Sequence, residues 1–420
     1  MGAPVLRALV QELAEAVRVL VVTSVFPNSR QPSLGVFVRE RMFRLAESCA
    51  LKVVAPVPWF PFAGFVRKGA AQSVPYLEVQ DGIEVYHPRF LSIPGVFKCL
   101  DGFFFFFFSA PAVMRVRKGF DFDIIDAHFA YPDGLGAVLL GKLFRRPVAI
   151  TVRGTIRKLS RYALRKLQIG YALRSAAKVF AVCADLKEAA IEAGAPEGVI
   201  VIPNGIDIKK FRPMDRLAAR AALGLPPDRK IIISVGGLVK RKGFHRVISC
   251  LPEIKKRVPA AMYLAVGGGS VEGDCGPELK RLAKELGVER DVVFAGQQAH
   301  GELYKWLSAA DIFCLATSNE GWANVFLEAM ACGLPVVTTR VGGNAEVVPD
   351  GDCGLLFDLE DAGAMKNAIV DALERDWDRN RIMEYAKVNT WEQRIMVLER
   401  ELKKAVGPSM RAAVGKAAAN

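Results

Sequence analysis

Short apolar runs alternate along this chain with longer amphipathic stretches, and loops bearing glycine or proline separate the two. Residues 18–23, 51–55, 124–127, 148–152, 179–183 and 199–202 are rich in Val, Ile, Leu and Ala, as strands buried on both faces require. A second set follows at 231–235, 262–266, 292–294, 312–315 and 336–338. Helical stretches lie between the strands, such as the one that follows the Pro- and Gly-bearing loop 26–35 and runs to about Ser48. Strand–helix alternation predicts the α/β class with parallel sheets. Each set opens with a strand, a glycine loop and a helix, so the pattern predicts two Rossmann-like, doubly wound domains. The turn residues Pro203-Asn204-Gly205-Ile206-Asp207 separate them, giving domains at 17–203 and 204–390. Residues 391–406 follow the second set and lead into an Ala-rich, mobile tail at 407–420.

At 420 residues the chain is too long for one core, and 51% hydrophobic with 24% charged residues is a globular composition. Eight cysteines are scattered without a Cys-x-x-Cys pair, and none of the four histidines has metal-ligand spacing. These thiols fit a reducing compartment. Residues 1–16 are amphipathic and carry Glu12 and Glu15, unlike a secretory signal, so the cytoplasm is expected.

A net charge of +13 favours anionic partners: nucleotide phosphates, nucleic acid or an anionic membrane face. No helix-turn-helix, zinc finger or RNA-binding aromatic motif accompanies it, which argues against nucleic acid. Arg157, Arg161 and Arg165, with Lys158 and Lys166 beside them and Leu159, Leu164, Leu167 and Ile169 between, read as an amphipathic basic helix, with a solvated face as the rival. Two aromatic patches add to this: Trp59, Phe60, Phe62 and Phe65 leading into Arg67 and Lys68, and the unbroken run Phe103 to Phe108. Asp101 and Arg115 flank that run, leaving less than the ~20 apolar residues of a bilayer span. Six successive phenylalanines cannot share one helix face, so some are exposed or meet another surface. Peripheral contact with an anionic membrane is the expectation, and packing against the first sheet is the alternative.

The most informative stretch runs from Ser318 to Pro335. Asn319 and Gly321 are cap-type residues before a run of helix formers, and Gly333 and Pro335 end it. Glu320 then falls in the loop and Glu328 about two turns into the helix. The amides of Gly321, Trp322, Ala323 and Asn324 crowd the helix start, where the dipole favours an anion. Carboxylates for hydroxyls and donors for phosphate in one place suit a nucleotide sugar. A solvated helix face is the rival for the glutamate pair alone.

This stretch resembles the paired-glutamate signature of the retaining glycosyltransferases of family 4. So do Ser-Val-Gly-Gly-Leu-Val-Lys-Arg-Lys-Gly from Ser234, Ala-Val-Gly-Gly-Gly from Ala265, Phe-Ala-Gly from Phe294 and Val-Gly-Gly-Asn-Ala-Glu from Val341, in the family's order and spacing. The first half matches more loosely, through the region near Phe26, Gly35-Val36-Phe37-Val38-Arg39-Glu40 and Asp126-Ala127-His128. The resemblance implies the GT-B fold, two Rossmann-like domains facing across a cleft, with 391–406 as a terminal helix crossing back to the first. It implies a hexosyltransferase-type enzyme that takes a nucleotide sugar and retains anomeric configuration. The acceptor expected is a lipid-linked or cell-surface glycan in envelope polysaccharide biosynthesis. By the same resemblance Glu320 and His128 serve the donor sugar and Glu328 the ribose. Lys242, Gly236, Gly237 and the amide of Gly35 would face the diphosphate, and Arg153 donor or acceptor. The family usually has Arg where this chain has Gly237; Arg241 or a backbone amide are the open substitutes. No Asp-x-Asp stands where a metal would hold the diphosphate, so no metal or other cofactor is expected. Another reaction on this fold (an epimerase or phosphorylase) and a non-catalytic nucleotide-sugar-binding protein are the alternatives.

Overall fold

The structure is a computed structural model that describes residues 16–61, 74–93, 95–270 and 272–417. Residues 1–15, the patch residues Phe62, Phe65, Arg67 and Lys68, and the last three residues of the tail lie outside the described residues. The chain divides into two compact units, Met1–Pro203 with Glu392–Asn420, and Asn204–Trp391.

The first unit is built on strands β1 (Arg18–Val22), β2 (Ala50–Val54), β3 (Val57–Trp59), β4 (Leu77–Gln80), β5 (Ile83–Tyr86), β6 (Arg89–Leu91), β7 (Ile124–His128), β8 (Val148–Val152), β9 (Lys178–Ala181) and β10 (Ile200–Val201). Eight of them form one sheet in the order β10-β9-β8-β7-β1-β2-β5-β4, and β3 pairs with β6 apart. Every pairing in the large sheet is parallel except β4 with β5. That hairpin turns on Asp81 and Gly82, both at positive φ, as a tight two-residue turn demands. β7 and β8 are buried along their whole length, which is why they read as continuous apolar runs.

The second unit adds β11 (Lys230–Val235), β12 (Ala261–Val266), β13 (Val292–Gly296), β14 (Ile312–Leu315), β15 (Val336–Thr339) and β16 (Gly354–Phe357). They form one wholly parallel sheet in the order β13-β12-β11-β14-β15-β16. The order reverses between β11 and β14, so the crevice at their carboxyl ends is the ligand position of a doubly wound sheet. One apolar core, with Tyr263, Phe244, Phe313 and Phe326 among its largest fully buried members, fills this unit.

Several expectations need correction. The first helix spans Val36–Leu45, short of Ser48. The basic stretch is two helices: a single turn at Ile156–Leu159, then Ala163–Ser175 after a break. Arg157 pairs at the surface with Asp185 at 2.7 Å and Glu192 at 3.3 Å and lies on a different helix from Arg165. The phenylalanine run lies in the helix Asp101–Gly119. Counted from Phe97, the apolar segment to Gly119 has the length and composition of a membrane-crossing helix, with mean hydropathy 1.5. The expectation that it is too short was wrong, because the apolar residues continue on both sides of the run. Phe105 is nonetheless fully buried against Phe90 of β6, at a ring separation of 5.5 Å. Phe107 and Phe108 are 64% and 43% exposed.

The long C-terminal helix Trp391–Ala417 groups with the first unit and is interrupted at Gly407. Glu401 on it receives Lys178 of β9 at 2.9 Å, and Glu399 accepts from Ser48 at 2.9 Å. All eight cysteines are free thiols.

Candidate active site

In the second unit, the loop after β11 and the loop after β14 meet at the point where the strand order reverses. The first loop passes through Gly236-Gly237 into a tight turn, Lys240–Lys242, and then the helix Phe244–Arg257. The second carries Thr317 to Ala323 into the helix Asn324–Ala331. The carbonyl of Arg241 accepts from the amide of Ser318 at 2.9 Å and from Thr317 Oγ1 at 3.2 Å, which ties the loops together.

Glu320 is where they converge. Its Oε1 accepts from Lys242 Nζ at 2.6 Å, Thr317 Oγ1 at 3.1 Å and Arg241 Nη1 at 3.2 Å. Among the described residues its Oε2 takes no hydrogen bond. The stem of Lys242 lies over Gly236, where a Cβ would come within 3.7 Å of Lys242 Cε. A Cβ on Gly237 would meet Ser270 first, at 3.4 Å. The fork of Arg241 is otherwise held by Glu272, at 2.7 and 3.1 Å, from the loop after β12, and this pairing raises the guanidinium pKa.

Two close approaches set the loop backbones. A Cβ on Gly243 would lie 1.9 Å from the carbonyl oxygen of Ala316, and one on Gly342, at φ 52°, would lie 1.9 Å from that of Glu320. The Val341-Gly342-Gly343 segment thus packs directly on the main chain of Glu320, which only glycine permits.

Glu328 sits in the helix Asn324–Ala331, 7% exposed. Its Oε1 lies 3.1 Å from Nε2 of His300, whose ring meets Phe211 edge-on with centroids 5.1 Å apart. The helix is capped at Ala323 without a side-chain bond, so neither Asn319 nor Gly321 is its cap. Among the described residues the amides of Gly321, Trp322 and Ala323 have no acceptor, and they remain available to an anion. The amide of Asn324 likewise has no acceptor among the described residues, and its side-chain oxygen accepts from Asn204, at 2.9 Å. At the far end Gly333, at φ 77°, closes the helix.

The remaining candidates belong to the first unit. Gly35 caps the helix Val36–Leu45 at φ 68°, and a Cβ there would lie 2.3 Å from the carbonyl oxygen of Val25. His128 ends β7 and is 0% exposed. Its Nδ1 accepts from Arg153 Nη2 at 3.2 Å, which leaves the proton on Nε2, 3.6 Å from Asp126 Oδ2. Burial, then the cations of Arg153 and Arg41, drive the imidazole pKa well down, so the ring is neutral. Arg153 is itself buried and stacks on Phe37 at 4.7 Å. His128 and Arg153 are therefore interior partners of each other, and their rings and forks are not open groups. Asp133, also buried, fastens the loop after β1 by accepting from Thr23 Oγ1 at 3.1 Å and from Ser24 N and Oγ at 2.9 and 2.7 Å. Burial raises its pKa to about 7.

His300 and Glu272 are the site residues that the sequence did not reveal. Each lies in a different loop from the group it holds, and no spacing rule links them. Among the described residues no cluster of three or more His, Cys, Asp and Glu could hold a metal ion.

Two Rossmann-like units, with paired glutamates and a Lys–Arg turn at the second unit's switch point, define a GT-B glycosyltransferase. Family models agree: residues 3–210 match the glycosyltransferase family 4 model and residues 215–389 the glycosyl transferases group 1 model. The chain belongs to the group 1 glycosyltransferases. It is similar to TuaC of Bacillus subtilis (strain 168), a glycosyltransferase whose name links it to teichuronic acid biosynthesis, with 29% identity over 78% of this chain and 82% of that protein. It also resembles the D-inositol 3-phosphate glycosyltransferase of Mycobacterium tuberculosis (strain F11), 34% identical over 50% of this chain but only 45% of that one. Among solved structures, sucrose-phosphate synthase from Thermosynechococcus elongatus superposes with a TM-score of 0.71 at 21% identity, covering 92% of this chain and 98% of that one. Anabaena HepE in complex with UDP gives 0.69 at 20%, covering 93% and 99%. At these identities the likeness is one of fold.

Proposed function

We propose that this enzyme moves a hexosyl group from a nucleotide sugar to a lipid-linked or cell-surface glycan, with retention of configuration, at the cytoplasmic face of a membrane. The observation that carries the reading is the convergence of Lys242 and Arg241 on Glu320, with Glu328 in the helix that follows. In this reading Lys242 and the amides of Gly321 to Ala323 take the diphosphate, and Glu328 takes the ribose hydroxyls. Glu320 bonds the donor sugar and stabilises positive charge at its anomeric carbon. The bond from that carbon to the diphosphate oxygen breaks on the face where the acceptor oxygen bonds, and the departing phosphate takes the acceptor proton. Side-chain cations and amides neutralise the leaving group, so the reaction proceeds without a metal.

TuaC's link to teichuronic acid supports an envelope glycan as the product. For membrane contact the support is the exposed apolar set Phe103, Phe107 and Phe108, together with Leu164 and Leu167 beside Arg165 and Lys166. The test is transfer of radiolabel from UDP-, GDP- and ADP-hexoses into a lipid-extractable product by the full-length protein, with the anomeric configuration read by NMR. Absence of transfer from every donor, with binding intact, would favour a non-catalytic nucleotide-sugar-binding protein.

A further inference from the structure

We infer that Arg241 is a second diphosphate-binding cation, held in readiness by Glu272; this rests on the nucleotide-sugar reading above. The guanidinium of Arg241 and the ammonium of Lys242 touch the same oxygen of Glu320, at 3.2 and 2.6 Å, so one phosphate group can span both cations. Lys242 stands over Gly236, and the Gly236-Gly237 pair offers no side chain to keep a phosphate away. The Arg241 side chain is 31% exposed and thus open to a ligand.

Its partners sort by role. Glu272 takes Nε at 3.1 Å and Nη2 at 2.7 Å with its two oxygens, a fork-to-fork grip that fixes the plane of the guanidinium. Nη1 is left directed at Glu320 and at the carbonyl of Asn319, 3.1 Å away. A planar fork gripped along one edge presents the other to an oxyanion. The carbonyl of residue 241 anchors Ser318 and Thr317, a tie that any residue supplies and that exchange of the side chain leaves in place. A bound oxyanion would take over Nη1 from Glu320 and the Asn319 carbonyl while Glu272 keeps its grip on Nε and Nη2. Glu272 is half exposed, so its ion pair adds little to stability and serves mainly to orient.

The experiment is calorimetric titration of the full chain with UDP, GDP and ADP, and with the matching monophosphate of whichever binds most tightly. Arg241→Gln is expected to weaken diphosphate binding about tenfold or more while the monophosphate changes by less than about threefold. Glu272→Gln should give a smaller loss of the same kind, by loosening the fork. Adding Gly237→Arg to Arg241→Gln should restore most of the affinity, since a Cβ at Gly237 would meet nothing nearer than Ser270, at 3.4 Å. Lys242→Ala is the reference. If it loses diphosphate affinity while Arg241→Gln keeps it, or if Arg241→Gln weakens both nucleotides equally, the inference fails and the functional reading stands. Should the wild type bind none of the three diphosphates, both fall together.

Discussion

Lys242 and Glu320 form an ion pair of 2.6 Å between two loops that leave adjacent strands of one sheet, and Arg241 completes a triangle on the same carboxylate oxygen. The groups proposed for phosphate and for sugar thus neutralise one another. A donor has to take the cations away from the carboxylate.

That competition gives the effect of Glu320→Gln its sign. Removing the negative charge frees both cations, so diphosphate affinity should hold or rise. Turnover should fall about 10²–10³-fold, the usual loss when one charge-stabilising group leaves a transition state. Titration with the nucleoside diphosphate and single-turnover kinetics separate the two effects. A parallel loss of affinity would rule out the competition.

Glu328 is expected to behave oppositely. Glu328→Ala should weaken nucleotide-sugar binding by ~1.5–3 kcal/mol, the worth of hydrogen bonds to a charged acceptor, with the fold intact. His300→Ala should weaken it less, because it only lets the carboxylate swing, and His300→Gln should recover part of the loss. Calorimetry on the three variants checks the ranking; a His300→Ala loss larger than that of Glu328→Ala would contradict it.

At the membrane, the substitutions that matter are Phe107→Ser and Phe108→Ser, since Phe105 is core and its loss would destabilise the unit. The wild type should sediment with anionic vesicles at low salt and detach as ionic strength rises. The Phe107/Phe108 variant should bind less at every salt concentration, and Arg165→Gln with Lys166→Gln should flatten the salt dependence. Protein that stays in the supernatant with anionic vesicles at low salt would point to a soluble acceptor.

Acid stability should depend on Glu401. Lys404 and Lys178 pull its pKa from the ordinary 4.5 down to about 2. A depressed carboxylate stabilises the fold above its unfolded pKa and loses that contribution as pH falls toward the folded value. Between about pH 4.5 and 2 the wild type should lose stability more steeply than Glu401→Gln. At neutral pH the variant should be the less stable of the two. Thermal melts across that range read both.

Parallel strands buried on both faces were legible because such burial leaves an unbroken apolar run; β8 and β14 coincide with their expected bounds and the other expected strands differ by a residue or two, while β3, β5, β6 and β16 were not expected. What escaped was half-exposed or tertiary. The β4–β5 hairpin lacks such a run, and its turn pair Asp81-Gly82 was the only local signal. The spacing of Arg157, Arg161 and Arg165 suggested one helix, but the pull of Asp185 and Glu192 on Arg157 lies far off in sequence. Likewise the glutamate pair stood out, while their holders His300 and Glu272 come from other loops.

The contact of Gly342 with the main chain of Glu320, and of Gly243 with Ala316, bears on how this enzyme could change its donor. Neighbouring loops are seated backbone on backbone, so neither glycine can gain even a methyl group without displacing the loop beside it. Single substitutions at these positions are dead ends for evolution and for the engineer alike. Variation in donor choice has to come from the side chains these loops carry, such as Ser270, and not from the glycines that seat them.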